Sequence, residues 1–283
     1  MIRVELVKLV RRPRNWVSIL LLAGLPVLVA VFVAVTHLAP PPGKGPALLS
    51  AVLSSGQLYP AAALAIVLPI FLPVAVAVVA GDAIAGEASS GTLRYLLARP
   101  VGRTRLLAAK LVTVVVYTLA AVVLVAVIAY LTGIALFGAQ PVSATSGGLT
   151  TSNLAGAATS LSGTAMTPAD IVVRTVGAVS FIAVSMLGVA AIALFLSTVT
   201  DSALGASLGA LAALITSGVL VSLNAAAAVS PYLPTRYWLA WVDFFRDPIV
   251  WRNIERGYAV QAVYVLVFLG AAWAHFATKD ITS

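Results

Sequence analysis

The sequence predicts an all-α membrane protein with six transmembrane helices in a single transmembrane domain, residues 1–283. Of the 283 residues, 61% are hydrophobic and only 9% are charged, and the mean hydropathy is +1.07. Soluble domains carry about 25% charged residues, so this composition excludes a soluble globular domain. Six apolar stretches are long enough for the roughly 20 helical residues that cross a hydrocarbon core. They cover residues 16–36, 58–80, 109–137, 171–197, 203–224 and 258–277.

The distribution of Lys and Arg predicts the orientation in the cell membrane. With six spans both termini share a side, and that side, with the 81–108 loop and Lys110, carries eleven of these residues, whereas the other carries six. The positive-inside rule therefore places both termini in the cytoplasm. This asymmetry accounts for most of the net charge of +8, so we expect no nucleic acid partner. The first apolar run exceeds the 7–15 residues or so of a signal-peptide core, and we expect it to remain in the mature protein.

Two external segments differ in composition. Residues 138–168 contain no charge and are rich in Gly, Ala, Ser and Thr, which predicts a flexible external loop. Residues 225–257 form an aromatic external segment that includes Tyr237, Trp238 and Trp241. These aromatic side chains are typical either of a belt at the membrane interface or of an ordered external lid over a pathway.

Prolines and glycines mark particular positions within the spans. Pro26, Pro69 and Pro73 each remove a backbone donor, and the resulting kinks serve either helix packing or a substrate hinge. Gly205 and Gly209 form a GxxxG pattern among small residues. Such a face lets helices approach closely, which predicts a packing surface, and we expect it at a subunit contact.

The sequence lacks the residue patterns of an enzyme or an ion-coupled carrier. It contains no cysteine, His37 and His275 lack metal-ligand spacing, and no Walker A sequence is present. We therefore expect no catalytic residue, no metal site and no bound cofactor. The predicted span interiors contain no ionisable residue, which disfavours an ion-coupled secondary transporter or channel. That class is kept as the alternative function.

The loop at 81–108 is unusually polar for its place between two apolar stretches. The second span is expected to continue as a helix to Glu87, and residues 89–91, Ser-Ser-Gly, then interrupt it. Thr92 can cap a new short helix that must end before Pro100. The spacing of Leu93, Leu96 and Leu97 gives this helix one apolar face. Because two helical turns are unstable alone, the helix either rests on the lipid interface or docks on a cytoplasmic partner.

The spacing of residues in this loop resembles a known signature. The pattern is Glu87-x-x-x-Gly91-Thr92-Leu93-x-x-Leu96-Leu97-x-x-Pro100-Val101-x-Arg103-x-x-Leu106-x-x-x-Lys110. It is similar to the signature of type-2 ABC transporter permeases, the six-span exporter subunits. That family also has an aromatic segment between spans five and six and a basic amphipathic N-terminal elbow helix. Residues 1–15 fit the elbow, with Ile2, Leu6 and Leu9 on one face.

The resemblance implies a permease subunit that forms a substrate pathway with a second copy or a related permease. In this family a short cytoplasmic coupling helix docks on a separate ATPase subunit, which binds ATP and Mg, through a loop that corresponds to residues 87–103. Glu87 would cap or pair with a basic group of the ATPase, or is simply solvated. The spans without buried charge favour a small apolar or amphiphilic substrate. The coupling residues implied are Glu87, Gly91, Thr92, Leu93, Arg94, Leu96, Leu97, Pro100 and Arg103.

Overall fold

A computed structural model describes residues 2–36, 56–91, 102–138, 158–162 and 164–278. Most of these residues are helical. The helices are α1 Ile2–Arg11, α2 Pro13–Thr36, α3 Tyr59–Val67, α4 Phe71–Ser89, α5 Arg103–Phe137, α6 Pro168–Val199, α7 Ala203–Ser222 and α8 Trp251–Thr278. Two antiparallel strands of two residues each, β1 Ala158–Thr159 and β2 Ala165–Met166, precede α6. The flexible loop predicted at 138–168 lies mainly outside the described residues.

Six of the described helices are long and apolar enough to cross a membrane, namely α2 and α4 to α8. The prediction of an all-α protein with six membrane-length helices is therefore confirmed. The helices begin earlier than some predicted stretches, because polar first turns precede the apolar residues. α8, for example, starts at Trp251 and includes Arg252 and Asn253 before the apolar run begins.

The second predicted span is broken into two helices. α3 ends at Val67 and α4 begins at Phe71. Pro69 and Pro73 have no backbone N–H, so they cannot donate to the carbonyls four residues earlier in the helix. The two prolines thus interrupt the helix instead of only bending it.

α4 and α6 form the centre of the bundle. α6 packs against α4, α5, α7 and α8, while α2 packs mainly against α5. Small residues allow a close contact between α4 and α7, where a Cβ added at Gly81 would overlap Ser207. A Cβ at Gly188 of α6 would likewise overlap the side chain of Gln261 of α8. The small residues therefore let polar side chains lie between closely packed helices.

The aromatic segment between α7 and α8 is ordered and packs on the bundle. Trp241 and Phe245 are fully buried, and Trp238 is 9% exposed. Two hydrogen bonds fix the start of the segment: Gln261 Nε2 donates to the carbonyl of Pro234 at 2.7 Å, and the hydroxyls of Ser217 and Thr235 are 2.7 Å apart. Trp238 and Trp241 therefore pack inside the protein, whereas Tyr232 and Trp251 of the predicted 225–257 segment are exposed.

Candidate functional site

Charged side chains meet where α1 lies across the first turns of α5 and the last turns of α4. α1 ends at Arg11 because Pro13, two residues later, disfavours the helical conformation of Arg12 and begins α2. The chain therefore turns sharply between α1 and α2. This turn brings one face of α1 against α4 and α5.

Four residues from three helices form a buried ion network, composed of Glu5, Lys8, Glu87 and Lys110. The Nζ atom of Lys110 lies 2.7 Å from Oε2 of Glu5 and 2.5 Å from Oε1 of Glu87. The Nζ atom of Lys8 lies 3.1 Å from Oε1 of each of these two glutamates. The side chains of Glu5, Glu87 and Lys110 are only 5% exposed. Two acids and two bases thus compensate one another where isolated charges would be costly.

The environment keeps the α1 members of this network ionised. Burial alone would raise the pKa of Glu5, but the hydrogen bonds and charges of Lys110 and Lys8 outweigh it and lower the pKa below its usual value. Burial alone would lower the pKa of Lys8, but Glu87 and Glu5 outweigh it and raise the pKa. Both residues therefore carry full charge at neutral pH.

A second charge cluster joins the turn after α1 to the same helix α4. Arg12 Nη1 donates to Oδ2 of Asp82 at 2.6 Å, and Arg14 Nη2 donates to the same oxygen. Asp82 is 9% exposed. Gly86 lies one turn further along α4, and a Cβ there would overlap the Asp82 carboxylate. The absence of a side chain at Gly86 therefore leaves the space that the Asp82 carboxylate occupies when it contacts both arginines.

Asn15 completes the contact between the start of α2 and α1. It is buried, and its Nδ2 donates to the carbonyl of Leu9 at 2.9 Å. Its Oδ1 has no hydrogen-bond partner within the described ranges. The ion network, the Asp82 cluster and Asn15 together attach α1 along most of its length.

The structure corrects one interpretation of Glu87. A solvated Glu87 is wrong, because the side chain is buried and pairs with Lys8 and Lys110 of its own chain. The sequence analysis did not identify Glu5 or Lys8 as partners of this residue. Glu5 is nevertheless the single acidic residue among the first 81, and it lies within a strongly basic segment. This isolation is the sequence feature that could have indicated an ion-pairing role for Glu5.

The predicted apolar face of α1 also differs from the observed one. Leu9 packs against the core, but Ile2 is 46% exposed and Leu6 is only partly buried. The most buried residue of α1 is Glu5. Ion pairs, and not apolar contacts alone, therefore determine which face of α1 points inward.

The two ends of the predicted coupling segment are described, but its centre is not. α4 ends at Ser89, and Gly91 follows with a φ of 70°, a left-handed conformation that glycine adopts without strain. At the other end, Nη1 of Arg103 donates to the carbonyl of Ala277, near the C-terminal end of α8, at 3.0 Å. The remaining predicted coupling residues lie outside the described residues, namely Thr92, Leu93, Arg94, Leu96, Leu97 and Pro100.

The residues predicted for helix packing have different surroundings. Gly205 is exposed, whereas a Cβ at Gly209 would lie 3.2 Å from the side chain of Leu196 in α6. Gly209 thus packs within its own chain, and Gly205 leaves a small exposed surface on α7. Among the predicted lid residues, Trp241 is buried and Tyr237 is half-buried, while Trp238 lies beside the helix break described above.

The fold and its helix lengths define a multi-pass membrane protein. The chain belongs to the DUF2705 family, described as proteins of unknown function, whose profile matches residues 49–282. The match includes Glu87 and Lys110 but begins after α1, so Glu5 and Lys8 lie outside it. A comparison with curated proteins finds no match.

Proposed function

We propose that this chain is the permease subunit of an ATP-driven exporter of the type-2 ABC class, coupled to separate ATPase subunits through residues 87–103. The observation that carries the proposal is the buried ion network at the base of this loop. Glu87 precedes the loop on α4, Lys110 follows it on α5, and both pair with α1. A force applied to the loop would therefore reach three helices through a single rigid connection.

The broken second span supports a pathway on one side of the chain. Ile70 and Phe71 at the break are 63% and 45% exposed. Backbone outside a helix is tolerated at membrane depth only where protein or a water-filled cavity covers it, because lipid cannot satisfy its polar groups. The exposed break therefore supports a second permease, or a pathway between the two, on this side of the chain.

The surface beside the break suits a small apolar or amphiphilic substrate. A groove of about 500 Å³ lies between the break and α7, with Pro69, Pro73 and Leu214 among its lining residues. Trp238 and Leu239 of the aromatic segment also line this groove. This lining supports a role for the segment as a lid at one end of the proposed pathway.

An ion-coupled secondary transporter or channel is the alternative, favoured by the buried carboxylates of Asp82 and Glu87 in α4. Such carriers use ionisable groups that are released from their partners during transport. Here Glu87 is held by Lys8 of α1 and Lys110 of α5, and Asp82 by Arg12 and Arg14, which lie just after α1, at one end of the bundle. The two functions are separated by the energy source: export in vesicles would follow ATP in one case and an imposed ion gradient in the other.

The test of the proposal is recovery of an ABC ATPase subunit with the affinity-purified chain. The two are co-expressed, the ATPase taken from the frame adjacent to this chain's coding sequence. Leu96→Asp and Gly91→Leu should leave insertion unchanged but reduce ATPase recovery and export. Leu96→Asp would bury an unpaired charge at the interface, at a cost of several kcal/mol, and Gly91→Leu would strain a left-handed residue.

Two matched variants separate coupling from general damage. Gly91→Asn introduces a residue that tolerates the left-handed conformation, so most of the ATPase should still be recovered with this variant. Leu161→Asp introduces the same charge at an exposed leucine at the opposite end of the bundle and should have no effect. Full ATPase recovery and export in both Leu96→Asp and Gly91→Leu would contradict the proposal.

A further inference from the structure

The outward face of α1 is apolar although its inward face is charged. Val4, Val7 and Val10 are 56%, 45% and 59% exposed, while Glu5 on the opposite side is buried. Surface helices normally turn their apolar residues towards the core. The ion network reverses this arrangement and fixes the valines outward, because rotating α1 would remove Glu5 from Lys110.

Arginines flank these valines. A groove of about 600 Å³ on this face is lined by Arg3, Val4, Val7, Lys8, Arg11, Arg12 and Pro13. Arg12 and Lys8 pair with acidic residues of α4. Arg3 and Arg11 have no ion-pair or hydrogen-bond partner within the part of the chain that the structure describes. They lie eight residues apart, about 12 Å along a helix, one at each end of the valine stripe.

The place of α1 in the chain indicates what covers this face. α1 ends at Arg11, and the membrane-length helix α2 begins two residues later at Pro13. α1 therefore lies at the level where the hydrocarbon core gives way to headgroups. Apolar side chains flanked by cations at this level match the composition of an anionic lipid surface.

We propose that the outward face of α1 binds anionic phospholipid, with headgroup phosphates at Arg3 and at Arg11 and the upper acyl chains on Val4 and Val7. The complementarity is both electrostatic and apolar, so the site should prefer phosphatidylglycerol to zwitterionic phosphatidylcholine. This binding is independent of the proposed transport function and requires no ATPase.

A fluorophore at position 10 tests the lipid preference. The chain has no native cysteine, so Val10→Cys gives a single attachment site beside the groove. The labelled full-length protein is reconstituted into vesicles containing either brominated phosphatidylglycerol or brominated phosphatidylcholine at equal mole fraction. Brominated phosphatidylglycerol should quench the fluorophore more strongly, and its relative binding constant follows from the mole-fraction dependence.

Paired charge variants distinguish a site from a general surface effect. Arg3→Gln with Arg11→Gln should lower the preference for phosphatidylglycerol by about 30-fold, the equivalent of about 1 kcal/mol for each basic residue. Arg252→Gln with Arg256→Gln removes the same charge from exposed positions at the start of α8 and should leave the preference unchanged.

Three results would overturn the lipid site. One is equal quenching by the two brominated lipids in the parent protein. The second is a preference that survives in the Arg3 and Arg11 variant, or that falls equally in the control variant. The third is relief of the quenching by millimolar inorganic phosphate, which would identify a site for free anions and not for lipid.

Discussion

Lys110→Met should release α1 from the bundle. Lys110 is the most buried cation of the ion network and lies within 2.7 Å of both Glu5 and Glu87. Its removal leaves two buried glutamates to share Lys8, whose side chain is 39% exposed. Breaking a buried ion pair on one side typically costs about 3–5 kcal/mol. Even the lower figure would raise the population of undocked α1 about 100-fold.

A single cysteine at Leu9 measures this release. Leu9 is partly buried and packs against the core through the inward face of α1, so a thiol there should react with a maleimide much faster when α1 undocks. When maleimide labelling is slow relative to the docking of α1, the labelling rate follows the undocked population, so it should rise about 100-fold in Lys110→Met. Lys8→Met should have a smaller effect, about 1 kcal/mol, because its side chain is partly exposed and its attraction is screened by solvent.

A compensating variant provides the control for this prediction. Lys110→Met combined with Glu87→Gln removes one charge of each sign and leaves Glu5 paired with Lys8. The labelling rate should then return most of the way to that of the parent. The explanation by charge compensation is refuted by a Lys110→Met rate within twofold of the parent, or by a double variant that labels as fast as Lys110→Met alone.

Two further predictions concern the same end of the bundle. Gly86→Ala should lower the free energy of unfolding in detergent by about 1–3 kcal/mol, because its Cβ would overlap the Asp82 carboxylate. Gly24→Ala is the control, since the space around Gly24 is open and the protein should keep its stability. An equal melting temperature for the two variants would contradict this prediction. The labelling rate at position 9 is divided by that of a cysteine at the exposed Val10 at the same pH, which removes the pH dependence of thiolate formation. This relative rate should rise as the pH falls below 4.5, because the lowered pKa of Glu5 means that its stabilisation is present above that value and lost as the pH falls further. The raised pKa of Lys8 gives stabilisation that is present below pH 10.5 and lost above it, so a relative rate that rises between pH 5 and 10 would contradict the ion network.

The sequence predicted the membrane helices well because their signal is local. A stretch such as 171–197 is apolar throughout, and its length alone determines that it forms a span. The break at Pro69 and Pro73 was also visible as missing backbone donors. The exact form of the break could not be read from the sequence, because contacts with neighbouring helices determine whether such a helix bends or ends.

The ion network could not be predicted in the same way. Glu5 and Lys110 are far apart in the chain, and their pairing depends on the rotation of α1 about its axis and on its contact with α5. The small residues present a similar difficulty. The GxxxG pattern indicated Gly205 and Gly209, but it is Gly81 and Ser207 that lie in close contact between α4 and α7. Composition identifies small residues but not which of them meet.

The ion network also has a consequence for the order in which the chain is assembled. Glu5 and Lys8 belong to α1 and Glu87 to α4, but Lys110 belongs to α5. During synthesis from the N-terminus, the two glutamates would share only Lys8 until α5 is made, so docking α1 would bury one uncompensated negative charge. α1 should therefore remain hydrated at the membrane surface while α2, α3 and α4 insert. α1 is synthesised before α2 to α5 but takes its final place only after α5 has begun.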